Sequence, residues 1–351
     1  MITVIYIFKD REIERVQKSL DSLQAQTNTN FKVVFLDYGS KQPLQLSKYT
    51  NVEYVYLEVQ NQPWNKSKAI NHALKYYVKT PFCFVADIDM IFQNNFIETA
   101  LKLTQTHSNF YFQVAYLKPK WVDATNVFNP SNYSKISNKE ATGMTVFKTD
   151  ILKDIQGFDE FFHFWGAEDT DVHNRIKNAG HQVYFYDKEV LMAHQWHPSY
   201  INQENKELTQ KLQLTNIIQI NHLHLKHNLN NKVTKVNNDC WGEIYFNNQL
   251  ALNNQIKVYT YEFDVLYYLN KVIPNLKSGQ QLNLIFTLPK EVGTTKYKLK
   301  KVLGKKIYPH FSLKKVNDMI LLQIVTNWHN HTYKYVISDS LKEINFIIKK
   351  N

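Results

Sequence analysis

The first 36 residues constrain the fold most, because two apolar segments flank one helical pattern. Residues 2–8 and 31–36 are almost continuously apolar, and Val16, Leu20 and Leu23 repeat between them at helical spacing. A strand, a helix and a strand at this separation predict a right-handed crossover and a parallel sheet. In such sheets, ligands bind beyond the carboxyl ends of the strands. The residues that follow each strand are therefore the first candidates for a site.

Three acidic residues follow predicted strands of this sheet. Asp37 follows the strand at 31–36, where its carboxylate is placed to accept hydrogen bonds from a nucleobase or a ribose. Asp87 and Asp89 follow the apolar strand at 82–86. In an extended segment, alternate side chains share one side, so a divalent cation with oxygen ligands is expected to join both carboxylates to phosphate oxygens.

Two histidines are candidates for a further metal ligand. His194 closes a short predicted strand at residues 190–193, and His197 follows three residues later. Neutral imidazole is a common metal ligand, so a histidine at a strand end complements the Asp-x-Asp pattern. The sequence does not decide between His194 and His197.

A second acidic cluster begins a helix behind an aromatic loop. Trp165 and Gly166 precede Glu168 and Asp169, and the helix that follows ends before a glycine. One interpretation is a helix cap, in which the acids complement the helix dipole. The other is a carboxylate that accepts a proton at the edge of a cleft. The unusual Trp-Gly loop favours the second interpretation.

Asp171 and Arg175 lie on the same predicted helix. Their i,i+4 spacing is typical of an ordinary surface ion pair. We expect that role for both residues.

The net charge of +11 is concentrated in the last third of the chain. Residues 231–351 contain 18 Lys, no Arg and 8 acidic residues, which gives +10 and leaves +1 for residues 1–230. A polar stretch at 228–239 predicts a linker, so we expect a catalytic domain at 1–230 and a basic accessory domain at 231–351. We expect the basic domain to dock on an anionic membrane surface, with composition bias as the competing explanation. Nucleic acid is not expected, because Arg, the usual reader of base edges, is missing there.

The cysteine content, the hydropathy and the N-terminus indicate a cellular compartment. The chain has two cysteines, no apolar run of membrane-spanning length, and an N-terminus without a basic segment or a cleavage site. These features predict a protein of the reducing cytoplasm, peripheral on the inner face of the cell membrane if the docking expectation holds.

Taken together, the motifs of residues 1–200 resemble the GT-A nucleotide-sugar glycosyltransferases. The resemblance is greatest to the inverting β-1,4-galactosyltransferase and chondroitin-polymerase type and to bacterial family 2 enzymes. It rests on the ordered segments 7–11, 64–71, 86–89, 157–169 and 174–175. It implies a Rossmann-like α/β fold, with a mixed, mainly parallel sheet flanked by helices. The smaller C-terminal domain is expected to be α/β or α+β.

The resemblance also implies roles for individual residues. Asp89 and His194 would bind Mn²⁺ or Mg²⁺ with the donor diphosphate, with His197 as the competing ligand. Asp169 would be the base, and Glu168 would be an acceptor or donor-sugar ligand. Trp165 and Gly166 would bind the acceptor. The remaining donor-binding candidates are Asp37, Arg11, Lys68 and Asp87.

The implied reaction is the transfer of a sugar, galactose or N-acetylgalactosamine in type, from a UDP-sugar to a hydroxyl of a glycan or lipid-linked glycan. Surface polysaccharide or lipopolysaccharide synthesis would be its setting. The alternatives are a retaining GT-A transferase and a binding module without turnover. The presence of both a metal ligand and a base argues against the binding module.

Overall fold

A computed structural model describes residues 1–119, 126–198, 206–246, 248, 250–252 and 254–351. The described residues form two compact units. Unit 1 holds those within 1–60, 65–199 and 218–244, and unit 2 holds those within 61–64, 200–217 and 245–351. Residues 231–244, which the sequence analysis assigns to the C-terminal domain, pack in unit 1.

Unit 1 alternates strands and helices along most of its length. Its elements, in chain order, are β1 (Ile2–Phe8), α1 (Ile13–Gln24), β2 (Phe31–Asp37), β3 (Val52–Tyr56), α2 (Lys66–Tyr76), β4 (Phe82–Ala86), β5 (Met90–Phe92), α3 (Phe96–Leu103), β6 (Asn109–Phe112), β7 (Ala115–Leu117), β8 (Tyr133–Ile136), β9 (Thr145–Lys148), α4 (Thr149–Asp154), α5 (Glu168–Asn178), β10 (Tyr184–Tyr186), β11 (Met192–His194) and α6 (Ile217–Asn230).

The main sheet of unit 1 has seven strands in the order β10-β6-β9-β4-β1-β2-β3. Its β1, β2, β3 and β4 pair in parallel, β10 pairs in parallel with β6, and β9 runs antiparallel to both β4 and β6. Every residue of β1 is buried, as expected for a central strand covered on both faces. The prediction of a mixed, mainly parallel α/β sheet is confirmed.

A smaller sheet of unit 1 has the order β5-β11-β7-β8. The sequence predicts one strand over residues 109–117, but the structure divides this segment between the two sheets as β6 and β7. The backbone turns away at Gln113, whose N–H donates to the carbonyl of Tyr186. This division allows β7 and β11 to lie beside each other in the smaller sheet.

Arg175 and Asp171 form a buried ion pair, so the expectation of a surface pair is wrong. Both side chains are fully buried, and Arg175 Nε donates to Asp171 Oδ2 at 2.7 Å. Arg175 also donates to the carbonyl oxygens of Ile155, at 3.1 Å, and Gly157, at 2.7 Å. These acceptors compensate the buried guanidinium and fix α5 against the loop that precedes the acidic motif.

Helix α6 completes this network. Asn228 Nδ2 donates to Asp171 Oδ1 at 2.9 Å and to Asp159 Oδ2 at 3.0 Å, and His224 Nε2 lies 2.8 Å from the same Asp159 oxygen. Asn237, within the predicted linker at 228–239, donates to the carbonyls of Gln156 and Phe158. The segment after α6 is therefore part of the packing of unit 1.

The elements of unit 2 are β12 (Gln255–Tyr259), α7 (Glu262–Tyr267), β13 (Gln281–Thr287), α8 (Thr295–Val302), α9 (Leu313–Gln323), β14 (Thr332–Ile337) and β15 (Glu343–Lys349), with π-helical turns at Tyr268–Val272 and Ile324–Trp328. The four strands form a mixed sheet in the order β12-β13-β15-β14. Tyr335 of β14 is buried and donates its hydroxyl to Asn317 of α9 at 2.9 Å.

Within the described ranges, no helix combines the length and the apolar character needed to cross a membrane.

The buried ion pair predicts a large stability difference from a surface pair of the same spacing. Arg175→Ala should lower the free energy of unfolding by about 3–5 kcal/mol, because Asp171 would stay buried without its cation. Lys102→Ala removes the exposed i,i+4 partner of Glu98 and should cost at most about 0.5 kcal/mol. Urea unfolding of both variants, followed by circular dichroism, measures the difference. Equal effects would contradict the structural role of Arg175.

Candidate active site

The ammonium group of Lys66 lies among three carboxylates of unit 1. Lys66 Nζ is 3.0 Å from Asp87 Oδ1, 3.6 Å from Glu168 Oε1 and 3.8 Å from Asp169 Oδ2. We call Asp87, Glu168 and Asp169 the acidic cluster. It unites the two acidic motifs that the sequence analysis identifies separately.

Three elements bring the acidic cluster together. Asp87 follows β4 directly, while Glu168 and Asp169 are the first two residues of α5. Lys66 is the first residue of α2, whose N-cap is Asn65; the Asn65 side chain accepts a hydrogen bond from the backbone N–H of Lys68 at 2.8 Å. The cluster thus forms where one strand ends and two helices begin.

The charges of the cluster shift the pKa values of its members. Burial lowers the pKa of Lys66, but the combined fields of Asp169, Asp87 and Glu168 outweigh this effect and raise that pKa well above its usual value. Burial raises the pKa of Asp169 to about 7; Lys66 opposes the rise, whereas Glu168 and Asp87 add to it. A carboxylate that titrates near neutral pH is suited to accept a proton.

The loop before α5 has an unusual backbone conformation. Phe164, Gly166 and Ala167 have positive φ angles of 63°, 98° and 78°. Such angles cost roughly 1–3 kcal/mol at non-glycine residues, so surrounding contacts must maintain them. Asn221 of α6 supplies two such contacts, because its Nδ2 donates to the carbonyls of His163, at 3.1 Å, and Trp165, at 2.9 Å.

This loop leaves the Trp165 side chain 44% exposed. The N-cap residue of α5 is Ala167, which has no polar side chain with which to cap the helix. Glu168 and Asp169 instead lie within ion-pair distance of Lys66. Both acids therefore have a charged partner in addition to the N-terminus of α5, and their functional role stays a prediction.

Asp89 and the two candidate histidines form a second cluster. His194 Nε2 is 3.6 Å from Asp89 Oδ1, and His197 Nε2 is 3.2 Å from Asp89 Oδ2. One ligand atom from each residue lies within 4.8 Å of the others. The antiparallel pairing of β5 with β11 causes this proximity, since it places His194 opposite Met90 and lets Gln195 N–H donate to the Asp89 carbonyl.

The second cluster fits a divalent cation. Asp89 Oδ1 is buried without a hydrogen-bond donor, so one acceptor there is unsatisfied. Burial acts to raise the pKa of Asp89, but His197, His194 and Arg15 lower it more, which keeps the carboxylate ionised. One carboxylate and two imidazoles form a mixed oxygen and nitrogen donor set, which suits a divalent first-row metal ion. Both histidines are near Asp89, so the structure retains both as candidate ligands.

Asp87 and Asp89 have different partners, because the segment between β4 and β5 is a turn and not an extended strand. Asp87 contacts Lys66, while Asp89 lies beside His194 and His197. The expectation of one cation shared by both carboxylates is therefore replaced by two adjoining clusters.

The other predicted donor-binding residues lie outside both clusters. Asp37 ends β2 and is buried, and its oxygens accept hydrogen bonds from Ser40 N–H at 2.8 Å and from the Tyr54 hydroxyl at 2.9 Å. Arg11 is exposed in the turn between β1 and α1. Lys68 is buried beside the charge of Glu160, and burial lowers its pKa. Lys66, which the sequence analysis does not select, reaches the acidic cluster instead.

Sequence reasoning also misses two residues that act over a distance. Arg15 lies in α1, and its charge helps to lower the pKa of Asp89. Asn221 lies more than fifty positions after the loop that it contacts. Nothing in the local sequence marks either residue.

Comparisons with known proteins give matches that include these motifs. The family model described as the N-terminal domain of galactosyltransferase matches residues 123–197, a range that contains the start of α5 and both histidines. Chondroitin sulfate synthase 3 of Mus musculus is 23% identical over 163 residues, and that of Homo sapiens is 25% identical over the same length. Each alignment covers 43% of this chain but only 18% of the relative.

The search of solved structures gives crystal structures of S. aureus TarS. The structure of TarS 1–349 in complex with UDP has a TM-score of 0.48 and 14% identity, and covers 96% of this chain and 94% of that one. The structure of TarS 1–349 alone has a TM-score of 0.44 and 19% identity, and it covers 55% of this chain and 60% of that one.

The chain is thus similar to the N-terminal domain of galactosyltransferase over residues 123–197, which include the acidic start of α5, and to part of the chondroitin sulfate synthases.

Proposed function

We propose that this chain is a metal-dependent, inverting glycosyltransferase that moves a sugar from a UDP-sugar to a hydroxyl group of a glycan or lipid-linked glycan. The observation that carries the proposal is Asp169, a carboxylate of pKa about 7 beside Lys66, with the Asp89 and histidine cluster adjoining it. A base and a cation site are the two parts that direct transfer from a nucleoside diphosphate requires. The galactosyltransferase family match supports galactose or N-acetylgalactosamine as the sugar and polysaccharide synthesis as the setting.

In the proposed reaction, the acceptor hydroxyl attacks the anomeric carbon of the donor sugar. The bond from that carbon to the diphosphate oxygen breaks as the new C–O bond forms on the opposite face, so the configuration inverts. The hydroxyl proton passes to Asp169, which must be ionised to accept it. Trp165 offers an exposed aromatic face for the acceptor ring, with Gly166 beside it and Glu168 as a hydrogen-bond acceptor for sugar hydroxyls.

The donor side of the site would use charged groups at the carboxyl edge of the sheet. Asp89, His194 and His197 would hold Mn²⁺ or Mg²⁺, which neutralises the charge of the leaving diphosphate. Lys66 would take the donor-binding role that the sequence suggests for Lys68, since its ammonium lies 3.0 Å from Asp87 Oδ1. Asp37 and Arg11 would contact the nucleoside end, because parallel β1, β2 and β4 end at the same edge.

A panel of nucleotide sugars with Mn²⁺ tests the proposal as a whole. We expect turnover of a UDP-sugar that stops in EDTA, and a product whose anomeric configuration, read by NMR, is inverted. Asp89→Ala should reduce kcat/KM by on the order of 100-fold or more and weaken Mn²⁺ binding measured by calorimetry. Asp154→Ala, at an exposed position on α4, is the matched control. Full activity in EDTA would refute metal dependence, and retained configuration would assign a retaining mechanism.

The base assignment predicts the behaviour of Asp169→Asn. The amide keeps the shape of the side chain but cannot take up the proton, so kcat should fall by roughly 10²–10⁴-fold while UDP binding stays unchanged. The thermal midpoint and the Kd for UDP are the controls for folding and donor binding. A variant that turns over normally would exclude Asp169 as the base.

The raised pKa of Asp169 predicts the pH dependence of the reaction. Because the base must be ionised, kcat/KM should decline as the pH falls through about 7. Lys66→Gln removes the cation that lowers this pKa, so the decline should begin at a higher pH. Rate profiles from pH 5 to 9, taken at about the same ionic strength, measure both limbs. An acid limb that stays in place in Lys66→Gln would contradict the coupling.

A further inference from the structure

Helix α8 of unit 2 has no buried residue along its whole length. Its apolar side chains Leu299, Val302 and Leu303 are 57%, 84% and 57% exposed. Spacings of three and four residues place them on one face. An uncovered apolar helix face of this kind is rare on a globular protein unless it binds something.

The segment around α8 is strongly basic. Residues 292–317 contain eight lysines and no acidic residue, namely Lys296, Lys298, Lys300, Lys301, Lys305, Lys306, Lys314 and Lys315. The six from Lys296 to Lys306 are all exposed. The helix is well defined at both ends: the Thr294 hydroxyl accepts from Tyr297 N–H, and Gly304 follows the last turn with φ +62°. The lysines therefore surround a defined apolar face.

Exposed aromatic side chains extend the apolar character beyond the helix. Tyr308 is 60% exposed and Phe263 57% exposed, and their rings contact each other with centroids 6.5 Å apart. Tyr261 stacks on Phe263 at 5.7 Å, and Lys306 Nζ lies 6.0 Å from the Tyr308 ring centroid. Aromatic rings beside lysines are typical of surfaces that lie at the boundary between lipid headgroups and acyl chains.

We propose that α8 and the segment to Tyr308 form a docking surface for an anionic lipid bilayer. The lysines match the negative headgroups, and the face of Leu299, Val302 and Leu303 enters the boundary of the acyl chains. Neither contribution requires the transfer reaction, so this proposal stands apart from the proposed function. It assigns six exposed lysines of the C-terminal third to one named surface.

The exposed apolar face decides between lipid and nucleic acid. A nucleic-acid surface would use the lysines for phosphates but would leave Leu299, Val302 and Leu303 without a partner. The complete lack of arginine in residues 231–351 also removes the side chain that most often reads bases. A bilayer provides a partner for both kinds of side chain.

Vesicle co-sedimentation of the full chain tests the proposal. We expect binding to phosphatidylcholine vesicles that contain phosphatidylglycerol, and little binding to phosphatidylcholine alone. Binding should fall steeply between about 0.1 M and about 1 M salt, as the Debye length drops from about 10 Å to about 3 Å. Equal binding to both kinds of vesicle, or binding to neither, would overturn the proposal.

Two triple variants and a matched control locate the surface. Lys298→Gln/Lys300→Gln/Lys301→Gln should weaken binding by at least about tenfold. Leu299→Ser/Val302→Ser/Leu303→Ser should weaken it by a similar factor without any change of charge. The control Lys271→Gln/Lys277→Gln/Lys342→Gln removes the same charge from exposed positions elsewhere in unit 2 and should change binding by less than about threefold.

Three results would overturn this assignment of the surface. An equal loss in the control triple would show that only net charge matters. An unchanged affinity in the serine triple would remove the apolar face from the interaction. Displacement of the chain from vesicles by an oligonucleotide of equal total charge would assign the surface to nucleic acid. The circular dichroism and thermal midpoint of each variant confirm that the fold is intact.

Discussion

The ammonium group of Lys66 is the interaction on which the site depends. Two unit charges of the same sign about 4 Å apart repel by about 4 kcal/mol near a protein surface, so three carboxylates do not gather without a cation. Lys66 lies within 4 Å of Asp87, Glu168 and Asp169 and offsets that repulsion. Because it stands at the start of α2, the placement of that helix beside β4 and α5 determines the charge of the site.

The face of helix α5 that points to the interior is held by a buried ion pair. Asp169 faces Lys66, whereas Asp171, two residues later and about 200° around the helix, pairs with Arg175 in the interior. The front of the helix keeps a carboxylate that can change protonation state. The back uses a guanidinium that stays charged and bonds to fixed carbonyls. One short helix thereby joins a titratable group to a rigid anchor, and Asn221 fixes the loop that precedes it.

The sequence predicts the parts of this structure that depend on neighbours along the chain. The buried β1, the crossover to β2 and the acids after β4 follow from continuous apolar runs and strand ends. The same reasoning misplaces Arg175, because its partners at Ile155, Gly157 and Asp171 become visible only when the loop and α5 are packed together. An i,i+4 spacing is the same for a buried pair and for an exposed one.

The sequence fails to identify Lys66 in preference to Lys68 for a similar reason. Both occupy the first turn of α2, about 200° apart, and the sequence does not show which side of that turn faces β4. The packing of the helix directs Lys66 toward Asp87 and buries Lys68 near Glu160. Asn221 is harder still to identify from the sequence, because it contacts Trp165 only once α6 has packed beside that loop. Sequence patterns identify the acids but leave their partners to tertiary structure.

The charge balance of the two clusters bears on the proposed cation site. With all three carboxylates ionised, Lys66 leaves that cluster with a net charge of about −2, which repels an anionic diphosphate. Asp89 lies only two residues from Asp87, and its buried Oδ1 has no hydrogen-bond donor. A divalent ion among Asp89, His194 and His197 would satisfy that oxygen and supply positive charge next to the acidic cluster. Under the proposed function, a cation in this second cluster would offset the repulsion between the acidic cluster and the anionic donor.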